Sequence, residues 1–99
     1  MELERDVEGY LKRQVDVMGG LCWKFVSPGV SGVPDRIVIY KNMICFVELK
    51  TRKGRESKCQ KVRRTQLNEH GMHAYVINSK DKVDELLIHI ALGVYPDEI

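Results

Sequence analysis

The stretch SGVPDRIVIYKNMICFVELK, residues 31–50, decides the fold. It holds two runs rich in β-branched and aromatic residues, Arg36–Lys41 and Met43–Lys50, with Asn42 between them and the Gly/Pro/Ser loop Ser27–Pro34 ahead. Such runs on either side of a short turn spell a β-hairpin. Pro34 biases Val33 toward extended geometry, so the chain enters the first strand at a fixed angle with Asp35 at the junction. Glu48 and Lys50 lie two apart on the return strand, so they share a face at a separation of roughly 6.6 Å. A turn at Lys41-Asn42 or Asn42-Met43 brings Asp35 near Lys50 across the hairpin. Two carboxylates and a lysine then converge at one end of a sheet.

Around this hairpin the remaining elements fall into place. Leu3, Val7, Leu11, Val15 and Met18 recur at spacings of three and four, which predicts a helix over residues 2–18 stopped by Gly19-Gly20. Leu21–Val26 alternates as a strand, with Trp23 and Phe25 on one face. After the polar loop Thr51–Gly54 comes a second, mostly polar helix, Glu56–Glu69, ended by Gly71. His73–Ile77 is a last strand, and Ser79 caps a helix running through Ala91. The order αβββαβα places two antiparallel strands before a helical crossover into another strand. That predicts an α/β (α+β) sandwich, a mixed four-stranded sheet flanked by helices.

Ninety-nine residues make one small domain, 1–99, with a modest core. Hydrophobic residues at 43% and charged residues at 30% are ordinary globular values and exclude a disordered chain. The strongest apolar runs, Ile37–Tyr40 and Ile44–Val47, are far short of the roughly 20 residues of a membrane span. The acidic, amphipathic N-terminus is no secretory signal. Cys22, Cys45 and Cys59 are odd in number and lack metal-ligand spacing, which points to a reducing cytoplasm. The net charge of +2 conceals an asymmetry. Residues 50–64 carry eight basic side chains against one acid, while the other 84 residues carry eight basic and thirteen acidic groups. A short stretch of net +7 is the footprint of a polyanionic ligand, most simply nucleic acid.

Taken singly, the chemical groups are ordinary. A Glu-x-Lys pair on a strand is commonly an exposed salt bridge, and Pro-Asp a turn signal. Together, thirteen residues apart across one hairpin and followed at once by a basic helix, they are much harder to ascribe to chance, and such a cluster suits metal-assisted chemistry on phosphate. Mg²⁺ favours a few carboxylate oxygens completed by water and phosphate oxygens, and a neighbouring lysine orients water or offsets developing charge.

Pro34-Asp35, then twelve residues, then Glu48-Leu49-Lys50 resembles the PD-(D/E)xK nuclease superfamily. Ser31-Gly32-Val33-Pro34-Asp35, Glu48-Leu49-Lys50-Thr51, Lys53-Gly54, Gln60 and Gly71 in this order are similar to the VRR-NUC (virus-type replication-repair nuclease) family, from Glu8 to about Asn78. The resemblance implies a restriction-endonuclease-like core and Mg²⁺- or Mn²⁺-dependent hydrolysis of DNA. It implies that Asp35 and Glu48 bind metal together with the Leu49 carbonyl, with Glu8, the first-helix glutamate, as a further candidate ligand, and that Lys50 is catalytic. It also implies that Gln60, with Gln66 as its competitor, sits near the lysine and the substrate phosphate. Arg52, Lys53, Arg55, Lys58, Lys61, Arg63 and Arg64 are the candidate DNA contacts. The alternatives are a non-catalytic nucleic-acid-binding domain, a nickase of flap or duplex DNA, and a structural protein with ordinary surface charges. A lone nuclease core offers a single site, and a four-way junction needs two cuts. Two-fold dimers are the commonest oligomers, and the resemblance links stand-alone members to Holliday junctions. The expectation is therefore a homodimer acting on branched DNA, joined through the first helix or the strand carrying Trp23 and Phe25.

Overall fold

The computed structural model describes residues 2–99. Its elements are α1 (Glu4–Val17), β1 (Leu21–Lys24), β2 (Arg36–Tyr40), β3 (Met43–Leu49), α2 (Lys58–Glu69), β4 (Ala74–Ile77) and α3 (Lys80–Ala91). The expected order αβββαβα stands. Among the described residues no helix is long and apolar enough to cross a membrane.

The strands form one sheet in the order β1-β2-β3-β4, antiparallel except for the parallel β3–β4 pair. Tyr40 pairs with Met43, so the hairpin turn is Lys41-Asn42. Lys41 takes a positive φ of 53°, which a two-residue turn demands of its first residue in the type II′ form. Arg36 pairs with Val47. Continuing that register sets Asp35 opposite Glu48, two residues short of the expected neighbour Lys50.

Side chains alternate across the sheet, and its two faces differ. On the back, Cys22, Val38, Cys45, Val47, Leu49, Tyr75 and Ile77 join Val7, Leu11 and Val15 of α1 and Val83, Leu86, Leu87 and Ile90 of α3 in the core. Each large apolar side chain buried there contributes about 1.5–3 kcal/mol. On the front, one row runs Trp23, Ile37, Phe46, Ala74 across the four strands. The next row holds Asp35, Glu48 and Val76.

The element ends have local causes. Gly19, at φ +87°, stops α1. Helix α2 begins two residues later than expected because Ser57 caps it: Gln60 N–H donates to Ser57 Oγ, and Ser57 N–H donates to Gln60 Oε1. Beyond Lys24, Phe25 N–H still donates to the Asp35 carbonyl, and then the chain leaves the sheet. At the other edge the Tyr95 hydroxyl accepts the Ile44 N–H, and the Tyr75 hydroxyl donates to the Pro96 carbonyl.

The loop of residues 27–34 is clamped onto α2. Arg63 Nε donates to the Ser31 carbonyl at 2.8 Å, and Cys59 Sγ contacts both the carbonyl and the hydroxyl of Ser31 at 3.2 Å. Gly32 lies at φ +82°, where a Cβ would sit 2.7 Å from the Cys59 carbonyl carbon. Gly32→Ala therefore meets both a disfavoured backbone conformation and a main-chain clash. It should destabilise the protein by more than about 1 kcal/mol, read from the urea midpoint.

Candidate active site

Asp35 and Glu48 face each other at the end of the β2–β3 ladder, with Lys50 one step further along β3. Asp35 Oδ2 accepts the Leu49 N–H at 2.8 Å. The N–H and C=O of a strand residue project toward the same edge, so the Leu49 carbonyl also faces the Asp35 side. Glu48 is 3% exposed. Its Oε2 is held from two sides, by Gln60 Nε2 at 2.7 Å and Lys50 Nζ at 3.1 Å. Its Oε1 is buried and meets no hydrogen-bond partner among the described residues.

A buried carboxylate oxygen without a donor is expensive, so its carboxyl gains protons readily. Burial pushes the Glu48 pKa up from 4.5 to about 7, the Lys50 ammonium opposes the rise, and the negative charge of Asp35 adds to it. Among the described residues no three His, Cys, Asp or Glu side chains gather into a metal-holding group. The fit is to a cation that takes few protein ligands. The open Oε1 of Glu48, the Asp35 carboxylate and the Leu49 carbonyl suit a hard divalent ion that completes its shell with water and phosphate oxygens.

Comparison with known proteins bears on the family and the fold. No family model matches the sequence. A phage protein named "Putative nuclease p44", from Acyrthosiphon pisum secondary endosymbiont phage 1, is 38% identical over 79 residues, covering 79% of this chain and 85% of its own. A solved structure described as a VRR_NUC domain superposes with a TM-score of 0.80 at 31% identity, over 87% of this chain and 95% of its own. The chain belongs to the VRR-NUC family. It is thus a nuclease, and its mixed sheet with three helices is the VRR-NUC fold.

Against the family pattern, Asp35, Glu48, Lys50 and Gln60 come together in this VRR-NUC chain. Between the two candidate glutamines the structure distinguishes clearly. Gln60 bonds Glu48, whereas Gln66 accepts from Arg63. Glu8 has a partner of its own. Its carboxylate accepts Arg36 Nε at 2.8 Å, and Arg36 also donates to the Cys22 carbonyl. Glu8 thereby braces α1 against the β1–β2 ladder beside Asp35. The charge of Glu4 adds to the rise in the Glu48 pKa, by less than burial and Asp35 do. Sequence pattern did not single out Glu4. It lies one turn from Glu8 on the same helix face, and periodicity treats the two alike.

The basic segment divides in two. Arg64 is bonded to Glu56 ahead of α2, and Arg63 clamps the loop. Arg52, Lys53, Arg55, Lys58 and Lys61 are exposed and make no ion pair among the described residues.

The Glu48 proton is held more tightly by the folded protein than by the unfolded chain. Folding is therefore progressively disfavoured by this group as pH rises from about 4.5 to about 7. Metal-free protein should lose stability across that window by up to about 1.4 kcal/mol per pH unit relative to Glu48→Gln. Urea denaturation of both proteins at a series of pH values measures the difference.

Proposed function

We propose that the chain is a Mg²⁺- or Mn²⁺-dependent endonuclease hydrolysing DNA phosphodiester bonds. As the substrate we propose branched DNA, Holliday junctions first. The single nuclease domain, 1–99, acts as a homodimer in the cytoplasm of a bacterial or phage-infected cell, a setting supported by the phage origin of the relative. The observation that carries the catalytic proposal is the divided state of Glu48, with one oxygen anchored by Lys50 and Gln60 and the other buried, open and beside Asp35. A purely structural carboxylate would have both oxygens satisfied.

Asp35, Glu48 and the Leu49 carbonyl would hold the cation. When bound, it supplies Lewis-acid polarisation of the phosphate and neutralisation of its charge. Lys50 Nζ stands beside the carboxylates, where it can orient the attacking water and offset negative charge on the phosphorane-like transition state. Hydrolysis forms one P–O bond to water oxygen, breaks the ester P–O bond and delivers a proton to the departing oxygen. Gln60 positions Glu48 through its amide. Arg52, Lys53, Arg55, Lys58 and Lys61 hold the phosphates on either side. Exposed Val17, Ile88 and Leu92 beside the groove where α1 meets α3 support self-association there.

Asp35→Asn, Glu48→Gln and Lys50→Ala should each reduce cleavage at least about 100-fold with the fold intact, and the two acid variants should also weaken metal binding. Near-normal turnover in any one removes that residue from the site. Neutralising Lys58 and Lys61 together should weaken binding evenly across DNA sequences and flatten log K against log salt by about 0.9 per lost contact. Light scattering should give twice the chain mass, and junctions should be cut faster than flaps or linear duplex under matched metal. A monomer, or equal rates, defeats the junction proposal and leaves the nuclease standing.

A further inference from the structure

Trp23 is the chain's single tryptophan, and 56% of it is exposed on the front of the sheet. A tryptophan on a sheet face ordinarily buries most of its ring, and an aromatic left open is a candidate contact. Its place is specific. Trp23 pairs with Ile37, and two residues further along β1 Phe25 donates its N–H to the Asp35 carbonyl. Two residues along a strand and one strand across put Trp23 roughly 8 Å from Asp35. In the same row Phe46 is buried and packs against the Phe25 ring at 5.6 Å, so of these aromatics the indole is the one left exposed. Helix α2, whose Gln60 bonds Glu48, carries exposed Lys58 and Lys61, charges that suit the phosphates of a strand passing the carboxylates.

We propose that Trp23 stacks on a nucleobase of the substrate strand next to the scissile phosphate, and so sets where that strand lies over Asp35 and Glu48. This rests on the nucleic-acid substrate proposed above. The competing occupant is a second copy of this chain. Edge pairing with a copy is opposed by the character of β1, which has only four residues and carries exposed Lys24, with no ion pair among the described residues. Stacking on aromatics tolerates any base, so Trp23 contributes affinity and position without sequence preference.

The test uses the indole itself. With metal withheld by EDTA, a four-way-junction oligonucleotide is titrated into the intact protein at low salt, and tryptophan emission is followed beside the anisotropy of a labelled junction. Stacking quenches the emission in step with binding. Heparin, a polyanion without bases, leaves it unquenched. Trp23→Ala, its fold checked by circular dichroism, should bind about tenfold more weakly, while Trp23→Phe keeps most of the affinity. Binding by anisotropy with unmoved emission and an unaffected Trp23→Ala overturns the stacking and leaves the nuclease intact. An emission maximum that shifts to the blue with rising protein concentration in the absence of DNA seats a second copy on Trp23 and also overturns it. No anisotropy change in the wild type removes the nucleic-acid substrate, and the stacking with it.

Discussion

The pairing of Arg36–Tyr40 with Met43–Leu49 closes through Lys41 and Asn42 alone, and so short a turn leaves the register no freedom. A slip of one residue would exchange the faces of β3. Cys45, Val47 and Leu49 would leave the core, and Glu48 would enter it as a buried charge against Val7, Leu11 and Leu86. The hydrophobic drive that fills the back of the sheet is therefore the same constraint that delivers Glu48 and Asp35 to the front. Core and site are not separate features of this fold; they are alternate residues of one strand.

Helix α2 then converts an exposed pair of acids into a site. It buries no residue of its own, so little of its stability comes from apolar packing. It is held by polar contacts instead: the Gln60 amide joins the Ser57 cap to Glu48, Arg63 and Cys59 grip Ser31, and Gly32 permits main chain to lie against main chain. The consequence for Glu48 is a low-dielectric setting with one oxygen anchored and one open. Such a group is unfavourable in isolation and becomes favourable once a cation shares the space, a pattern of local sacrifice expected where a fold is shaped for chemistry.

The charge distribution follows the same division between architecture and ligand. Arg63 and Arg64 read in sequence as part of an unbroken basic run, yet their guanidinium groups fasten α2 to the loop and to Glu56. Planar, multiply donating Arg suits such fixed contacts, whereas the exposed Lys58 and Lys61 remain mobile point charges suited to phosphate. Fewer of the eight basic residues are thus free for a ligand than the run suggests, since Lys50, Arg63 and Arg64 already have partners within the fold.

Much of this was legible in the residues themselves. The apolar stripe of Val7, Leu11 and Val15, the alternation of the strands, and the Gly and Ser stops and caps are local signals, and they yield the element order. The spacing of Pro34-Asp35 and Glu48-Leu49-Lys50 marked the site because a hairpin relates those positions by simple counting. What only tertiary structure decided depends on through-space partners. Asp35 faces Glu48 rather than Lys50 because the turn is Lys41-Asn42. Gln60 rather than Gln66 reaches Glu48, because capping by Ser57 starts α2 at Lys58 and sets its rotation. Glu8 is claimed by Arg36, and Glu4, one turn away, bears on Glu48. Trp23 is left 56% exposed, which the alternation of its strand does not reveal. Periodicity assigns a residue to a face; which neighbour waits on that face is determined by how distant segments pack, and no pattern along the chain encodes it.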